Sequence, residues 1–233
     1  MNKLPRLLIA MGFVATLAGA VAGAAHAQDA KPGQSANAAG SAAAGEKKAA
    51  MCIGCHGIPA YQASFPEIYK VPMIAGQNAK YIVSALTAYK KGDRKHPTMR
   101  AIATSLTDQD MADLSAFYET ENKAGDGTAA APAQAAAPAI DALLKKGNCV
   151  ACHGDNFSKP IDPAYPKLGG QHADYLYYAL KAYQTDKNPQ VGRNNPIMAG
   201  MSRLFTHSEL KELSNYLSTQ PGQLATVPQA RFR

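Results

Sequence analysis

The stretches CIGCHG at Cys52–Gly57 and CVACHG at Cys149–Gly154 decide how this chain folds. Together they use all four cysteines, each pair spaced Cys-x-x-Cys with a histidine directly after the second thiol. On one tight helical turn this spacing brings two thiols to the same side, where they can add across the two vinyl groups of a haem. The histidine that follows then presents its imidazole to the iron. Cys52, Cys55, Cys149 and Cys152 are therefore the expected attachment points of two covalent haem c groups, with His56 and His153 as proximal iron ligands. Two disulfides, a thioredoxin-like dithiol or a zinc site would leave the two histidines unexplained. A dithiol site also wants a βαβ setting, and zinc would have to recruit ligands from two distant segments.

The sequence around the motifs repeats in the same order. PMIAGQNAKYIVSALTAY at Pro72–Tyr89 answers PKLGGQHADYLYYALKAY at Pro166–Tyr183, offset by 94 residues. HPTMRAIATSLTDQDMADLSAFY at His96–Tyr118 answers NPIMAGMSRLFTHSELKELSNYL at Asn195–Leu217, offset by 99. An offset that drifts only in loops marks a duplicated domain. Ile82, Leu86 and Tyr89 recur at helical spacing, as do Leu176, Leu180 and Tyr183; Met111, Leu114, Tyr118 and Leu210, Leu213, Leu217 make a second pair of stripes. Thr206-x-x-Glu209 reads as a capping box and Thr107-x-x-Asp110 as its weaker equivalent. With no sustained strand alternation, the expected fold is all-α: two tandem haem-binding domains related by internal duplication. Domains this small bury little surface and usually need a staple.

The remaining iron ligand must come from the far side of each ring. His96, His172 and His207 align with Asn195, Asn78 and Asp108, so no histidine serves both copies, and surface positions are expected for them. Methionine does serve both: Met99 and Met198 align, each two residues after a proline, 43 and 45 residues beyond its proximal histidine. Met201 aligns with Ile102 and is assigned to packing; Met51 and Met73 read as core or haem-contact residues. The carbonyls of Pro72 and Pro166 either accept the Nδ1 protons of His56 and His153, or the prolines only shape the loop. For Tyr81, Tyr175, Tyr89 and Tyr183 packing is the favoured role over contact with haem propionates.

The 233 residues carry 24 Lys and Arg against 17 Asp and Glu. The stretch Leu7–Ala25 is uncharged, follows Lys3 and Arg6, and ends in Ala25-His26-Ala27, the pattern of a signal peptidase site. Cleavage before Gln28 is expected, leaving 22 basic against 17 acidic residues; a retained anchor is the other reading, and both mean export. So mild an excess without a basic run argues against nucleic acid. The expected organisation is a signal peptide at 1–27, a disordered leader at 28–44, one haem domain at 45–121, an Ala/Pro/Gly-rich linker at 122–139, the second domain at 140–220 and a tail at 221–233.

Over almost the whole mature chain the sequence resembles the tandem dihaem cytochrome c4 family. The resemblance is carried by CIGCHG, VPMIAGQNAKY, HPTMRAIATSLTDQD, CVACHG, YPKLGGQHADY and NNPIMAGM. It implies two class I cytochrome c domains about a pseudo-twofold axis, with haem propionates facing each other near the interface. It also implies a monomeric periplasmic shuttle between the cytochrome bc1 complex and a haem-copper oxidase, touching the membrane only through those partners unless the signal is retained. Outer-sphere electron transfer through two His/Met-ligated haems is the expected activity, which makes the chain a carrier and not an enzyme. The rival is a dihaem peroxidase or reductase, which needs an open iron and a distal acid or base; methionine in both copies argues against it.

Overall fold

Copy one begins where Ser41 caps a helix: its hydroxyl accepts the Ala44 N–H and starts α1 (Ala42–Lys48). After a break at Ala49, α2 (Ala50–His56) carries the first Cys-x-x-Cys-His. A short ladder of β1 (Gln62–Ala63) and β2 (Tyr69–Lys70) leads to α3 (Ala79–Lys91), which Gly92 ends in a left-handed conformation, φ 85°. After β3 (Arg94–Lys95) come α4 (Pro97–Ser105) and α5 (Asp108–Thr120). Copy two repeats the plan with α6 (Pro138–Lys146), α7 (Val150–His153), α8 (Ala173–Gln184), β4 (Gly192–Arg193), α9 (Pro196–Ser202) and α10 (His207–Thr219). The computed structural model describes residues 39–122 and 134–228, all within one compact unit, Ser35–Arg233. The expected signal peptide at 1–27, the expected leader as far as residue 38, linker residues 123–133 and the last five residues lie outside the described residues.

The fold is mostly helical, and both expected capping boxes are complete. Thr107 Oγ1 accepts from the Asp110 N–H at 3.1 Å while Asp110 accepts from the Thr107 N–H at 3.0 Å; Thr206 and Glu209 do the same at 3.3 and 2.7 Å. Each copy has its own small core. Ile53, Ile82, Leu114 and Phe117 lead one; Leu144, Phe157, Leu176, Leu210 and Leu213 lead the other.

Two expected boundaries shift. Helix α1 opens at Ala42, inside the stretch read as leader, because alanine favours helix and Ser41 supplies the cap. Helix α6 opens at Pro138, inside the stretch read as linker, where a proline at the first helical position costs no hydrogen bond. The tail lies over copy one: Ala225 pairs with Ala75 in an isolated bridge, and Ala225 and Val227 pack on the core of that copy.

The two copies meet along a seam of main-chain and side-chain contacts. Strands β3 and β4 pair antiparallel, Arg94 opposite Arg193. Tyr69 stacks on Tyr178 at 4.3 Å, Lys70 pairs with Asp174, and Lys181 with Glu67. Gly76 and Gly170, which align in the repeat, both have positive φ (80° and 77°). A Cβ on Gly76 would also run into the Gln223 carbonyl of the returning tail, so the Gly of each Gly-Gln pair is a backbone requirement.

Helix α1 is held on α5 by one buried carboxylate. Asp113, 3% exposed, accepts from the Ser41 N–H at 2.8 Å, Lys48 Nζ at 2.6 Å and Gln109 Nε2 at 2.9 Å. Lys48 also bridges Asp110, and its bond, with that of Thr107, holds Asp110 at about 2. Lys48 likewise holds Asp113 below the usual carboxylate range. A carboxylate whose pKa is depressed by folding stabilises the fold above its unfolded value, and that contribution is lost as pH falls through the folded value. Asp113→Ala, which strands the Ser41 and Lys48 donors, is expected to cost about 1–3 kcal/mol at neutral pH in urea denaturation. The difference from wild type should shrink as pH falls from about 4 towards 2.

Candidate haem sites

Cys52, Cys55 and His56 all lie on α2, while Cys152 and His153 lie on α7 with Cys149 at its N-cap, in the turn that follows α6. Cys52, Cys55, Cys149 and Cys152 are all half-buried and unpaired, so no disulfide joins them. Burial pushes the Cys52 and Cys149 thiols up, with a weaker opposing bond from Tyr118 at Cys52. A redox dithiol depends on the opposite, a depressed thiol. Among the described residues no three His, Cys, Asp or Glu side chains gather as a metal-ion cluster.

The histidines are oriented by the prolines. His56 Nδ1 lies 2.8 Å from the Pro72 carbonyl and His153 Nδ1 3.1 Å from that of Pro166. A carbonyl only accepts, so Nδ1 carries the proton in both rings, and Nε2 is left as the free lone pair a metal needs. Burial pushes both imidazoles below the ordinary histidine value, more than the Pro72 and Pro166 bonds restore, which keeps them neutral and ligand-competent. The prolines therefore do more than shape loops.

The methionines occupy matched positions. Met99 and Met198 are each the third residue of a helix that begins with proline, and the N-cap side chain reaches the methionine's own N–H: His96 Nδ1 to Met99 at 3.3 Å, Asn195 Oδ1 to Met198 at 3.0 Å. Both are half-buried. Met201 is 37% exposed and Met51 58%, so neither lies in a polypeptide core, and of the two readings of Met51 only contact with the haem is left. His96 is more than a surface histidine, since its ring caps α4; His172 precedes α8, and His207 is exposed.

Two pairs of residues escaped the sequence reading. Arg94 donates to the Tyr81 hydroxyl at 3.2 Å and the Tyr175 hydroxyl at 2.7 Å, and Arg193 donates to the same Tyr175 oxygen at 3.1 Å. The guanidinium groups also lie over the Tyr89 and Tyr183 rings, at 4.6 and 5.3 Å, so these repeated tyrosines serve the arginines and do not merely pack. No carboxylate among the described residues pairs with either arginine, and Arg94 Nε is buried without an acceptor. Although burial raises the Tyr175 phenol, the two arginines pull it below its ordinary value, a sign of a pocket short of negative charge. That is the environment for the carboxylates of a haem, and with the paired thiols and oriented imidazoles it fits the group. The second pair is Gln77 and Gln171, each bonded to the main chain of the other copy. The sequence signal for both pairs was their recurrence, at offsets of 99 and 94.

Two helical domains, each offering Cys-x-x-Cys-His with a carbonyl-anchored imidazole, define a double c-type haem protein. The cytochrome c family model matches residues 42–120 and 137–221, and the chain belongs to that family as a tandem of two such domains. Cytochrome c4 from Azotobacter vinelandii is 30% identical over 198 residues, covering 78% of this chain and 90% of that protein. The thiosulfate dehydrogenase electron acceptor from Stutzerimonas stutzeri strain A1501 is 31% identical over 187 residues, covering 75% of this chain and 81% of the relative. The structure of reduced recombinant cytochrome c4 from Pseudomonas stutzeri matches with a TM-score of 0.54 at 25% identity, over 78% of this chain and 100% of that one. The chain carries two haem c groups and is a dihaem, cytochrome c4-like electron carrier. Intact-mass measurement should find two haems per chain, and the double variant Cys149→Ser, Cys152→Ser should retain one.

Proposed function

We propose that this carrier is exported to the periplasm and there passes electrons singly, as a monomer, from the cytochrome bc1 complex to a haem-copper terminal oxidase. His56 and Met99 would hold the first haem iron, and His153 and Met198 the second. The observation that carries this ligand set is the matched setting of Met99 and Met198, each on the first turn of a proline-started helix with its N–H tied to the N-cap. A bound haem would supply one-electron redox chemistry, and a methionine thioether together with a histidine imidazole as ligands would favour its ferrous state.

The protein's own residues supply the rest. The Pro72 and Pro166 carbonyls fix the two imidazoles, and Arg94 and Arg193 offset the propionate charge at the seam. Exposed apolar side chains border both motifs, among them Met51, Ile58 and Val150, a surface suited to brief docking of protein partners. Nothing in this reading involves nucleic acid, and the membrane is met only through partners. An alternative donor is favoured by one observation: a relative of similar identity is named as the electron acceptor of thiosulfate dehydrogenase.

Met99→Ala and Met198→Ala should each open one iron, so that CO binds half of the ferrous haem and the potential of that haem falls. Met201→Ala should change neither. CO binding to Met201→Ala, with Met198→Ala unaffected, would overturn the ligand assignment in the second domain. Stopped-flow reduction by quinol-fed bc1 complex, set beside reduction by thiosulfate dehydrogenase with thiosulfate, distinguishes the two donors.

A further inference from the structure

The peptide group between Pro72 and Met73 is bonded on both sides. Its carbonyl accepts the His56 Nδ1 proton at 2.8 Å, and its N–H donates to Gln171 Oε1, in the other domain, at 3.0 Å. The peptide between Pro166 and Lys167 repeats the arrangement: its carbonyl accepts from His153 Nδ1 at 3.1 Å and its N–H donates to Gln77 Oε1 at 2.9 Å. Each glutamine closes the contact with a second bond, Gln171 Nε2 to the Met73 carbonyl at 2.9 Å and Gln77 Nε2 to the Lys167 carbonyl at 3.0 Å. Both glutamines are 4% exposed, and the orientation of each amide is dictated by its partners, because a main-chain N–H requires an acceptor.

We infer that Gln77 and Gln171 are positioning residues that act across the seam: Gln171 tunes the proximal histidine of the first haem, and Gln77 that of the second. The inference rests on His56 and His153 being iron ligands. A peptide is one resonance system, so an acceptor on its N–H draws electron density to its oxygen. In condensed phase a neighbouring bond strengthens the next by about 10–30%. With Gln171 in place the Pro72 oxygen pulls harder on the His56 proton, the ring becomes a stronger donor, and the ferric iron is favoured. The crossing follows from the duplication, since Pro72, Met73 and Gln77 align with Pro166, Lys167 and Gln171 at one offset. Each haem domain thus completes the histidine anchor of the other.

The test is NMR of the ferrous protein together with potentiometric titration resolved by haem. In wild type, the carbon-bound ring protons of His56 and His153 should show the upfield shift that a haem ring current imposes. Their absence would defeat the ligand assignment itself. With that shift present, Gln171→Met should move the His56 Nδ1 proton upfield and raise the potential of the first haem, leaving His153 and the second haem near wild type. Gln77→Met should do the reverse. Should either methionine variant fail to fold, Gln171→Glu and Gln77→Glu retain an acceptor of greater strength and should move the crossed histidine's proton downfield. Changes confined to the haem of the variant's own domain, equal changes at both haems, or no change in a folded protein would overturn the crossing alone.

Discussion

Two peptide groups, Pro72–Met73 and Pro166–Lys167, support the rest of this molecule. Each faces a proximal histidine with its carbonyl and the other domain with its N–H. The residues around them are shaped to keep those peptides in place. Gly76 and Gly170 turn the chain at positive φ so that the glutamines can reach across. The returning tail, through Ala225 on Ala75 and Gln223 between Asn122 and Lys167, covers the first of these loops. Interface and haem anchor are therefore one structure, and neither can shift without the other.

The polypeptide cores are small, one apolar cluster within each copy and a third of tyrosines and alanine at the seam. A covalent macrocycle adds the apolar surface such domains lack, which gives the two thiols per motif a folding role as well as a functional one. At the seam the same economy shows in charge. Arg94 and Arg193 face each other across β3 and β4 with tyrosine hydroxyls and rings around them and no carboxylate among the described residues. Two half-buried cations side by side with no carboxylate partner among the described residues are poorly compensated, so the pair suits a site whose other half would be the anionic edge of the cofactor.

Much of this was readable from the sequence because duplication supplies an internal control. Cys52-x-x-Cys55-His56 and its copy announced the haems, the offset of 99 paired Met99 with Met198, which occupy the same position of α4 and α9, and the threonine capping boxes mark where α5 and α10 begin. Composition misled at the edges: alanine is as much a helix former as a linker residue, and α1 and α6 start inside stretches that looked like spacer. The tail's route and the glutamine exchange were not legible, because helical periodicity reports which face of an element is apolar and says nothing about which loop of another domain lies against it. Arg94, Arg193, Gln77 and Gln171 did recur in register, the same evidence that singled out the methionines. What the sequence lacked for them was a motif that ties arginine or glutamine at that spacing to a particular chemistry.

The most direct measurement is the absorption spectrum of the purified wild-type protein, ferric and ferrous, with and without CO, on a sample whose haem content per chain is known. Two haems, a ferric methionine-to-iron charge-transfer band of the strength of two sites, and a ferrous spectrum indifferent to CO are the expected result for a carrier with both irons closed. A CO adduct on either haem of the unmodified protein would contradict it and point to an iron built to bind a substrate.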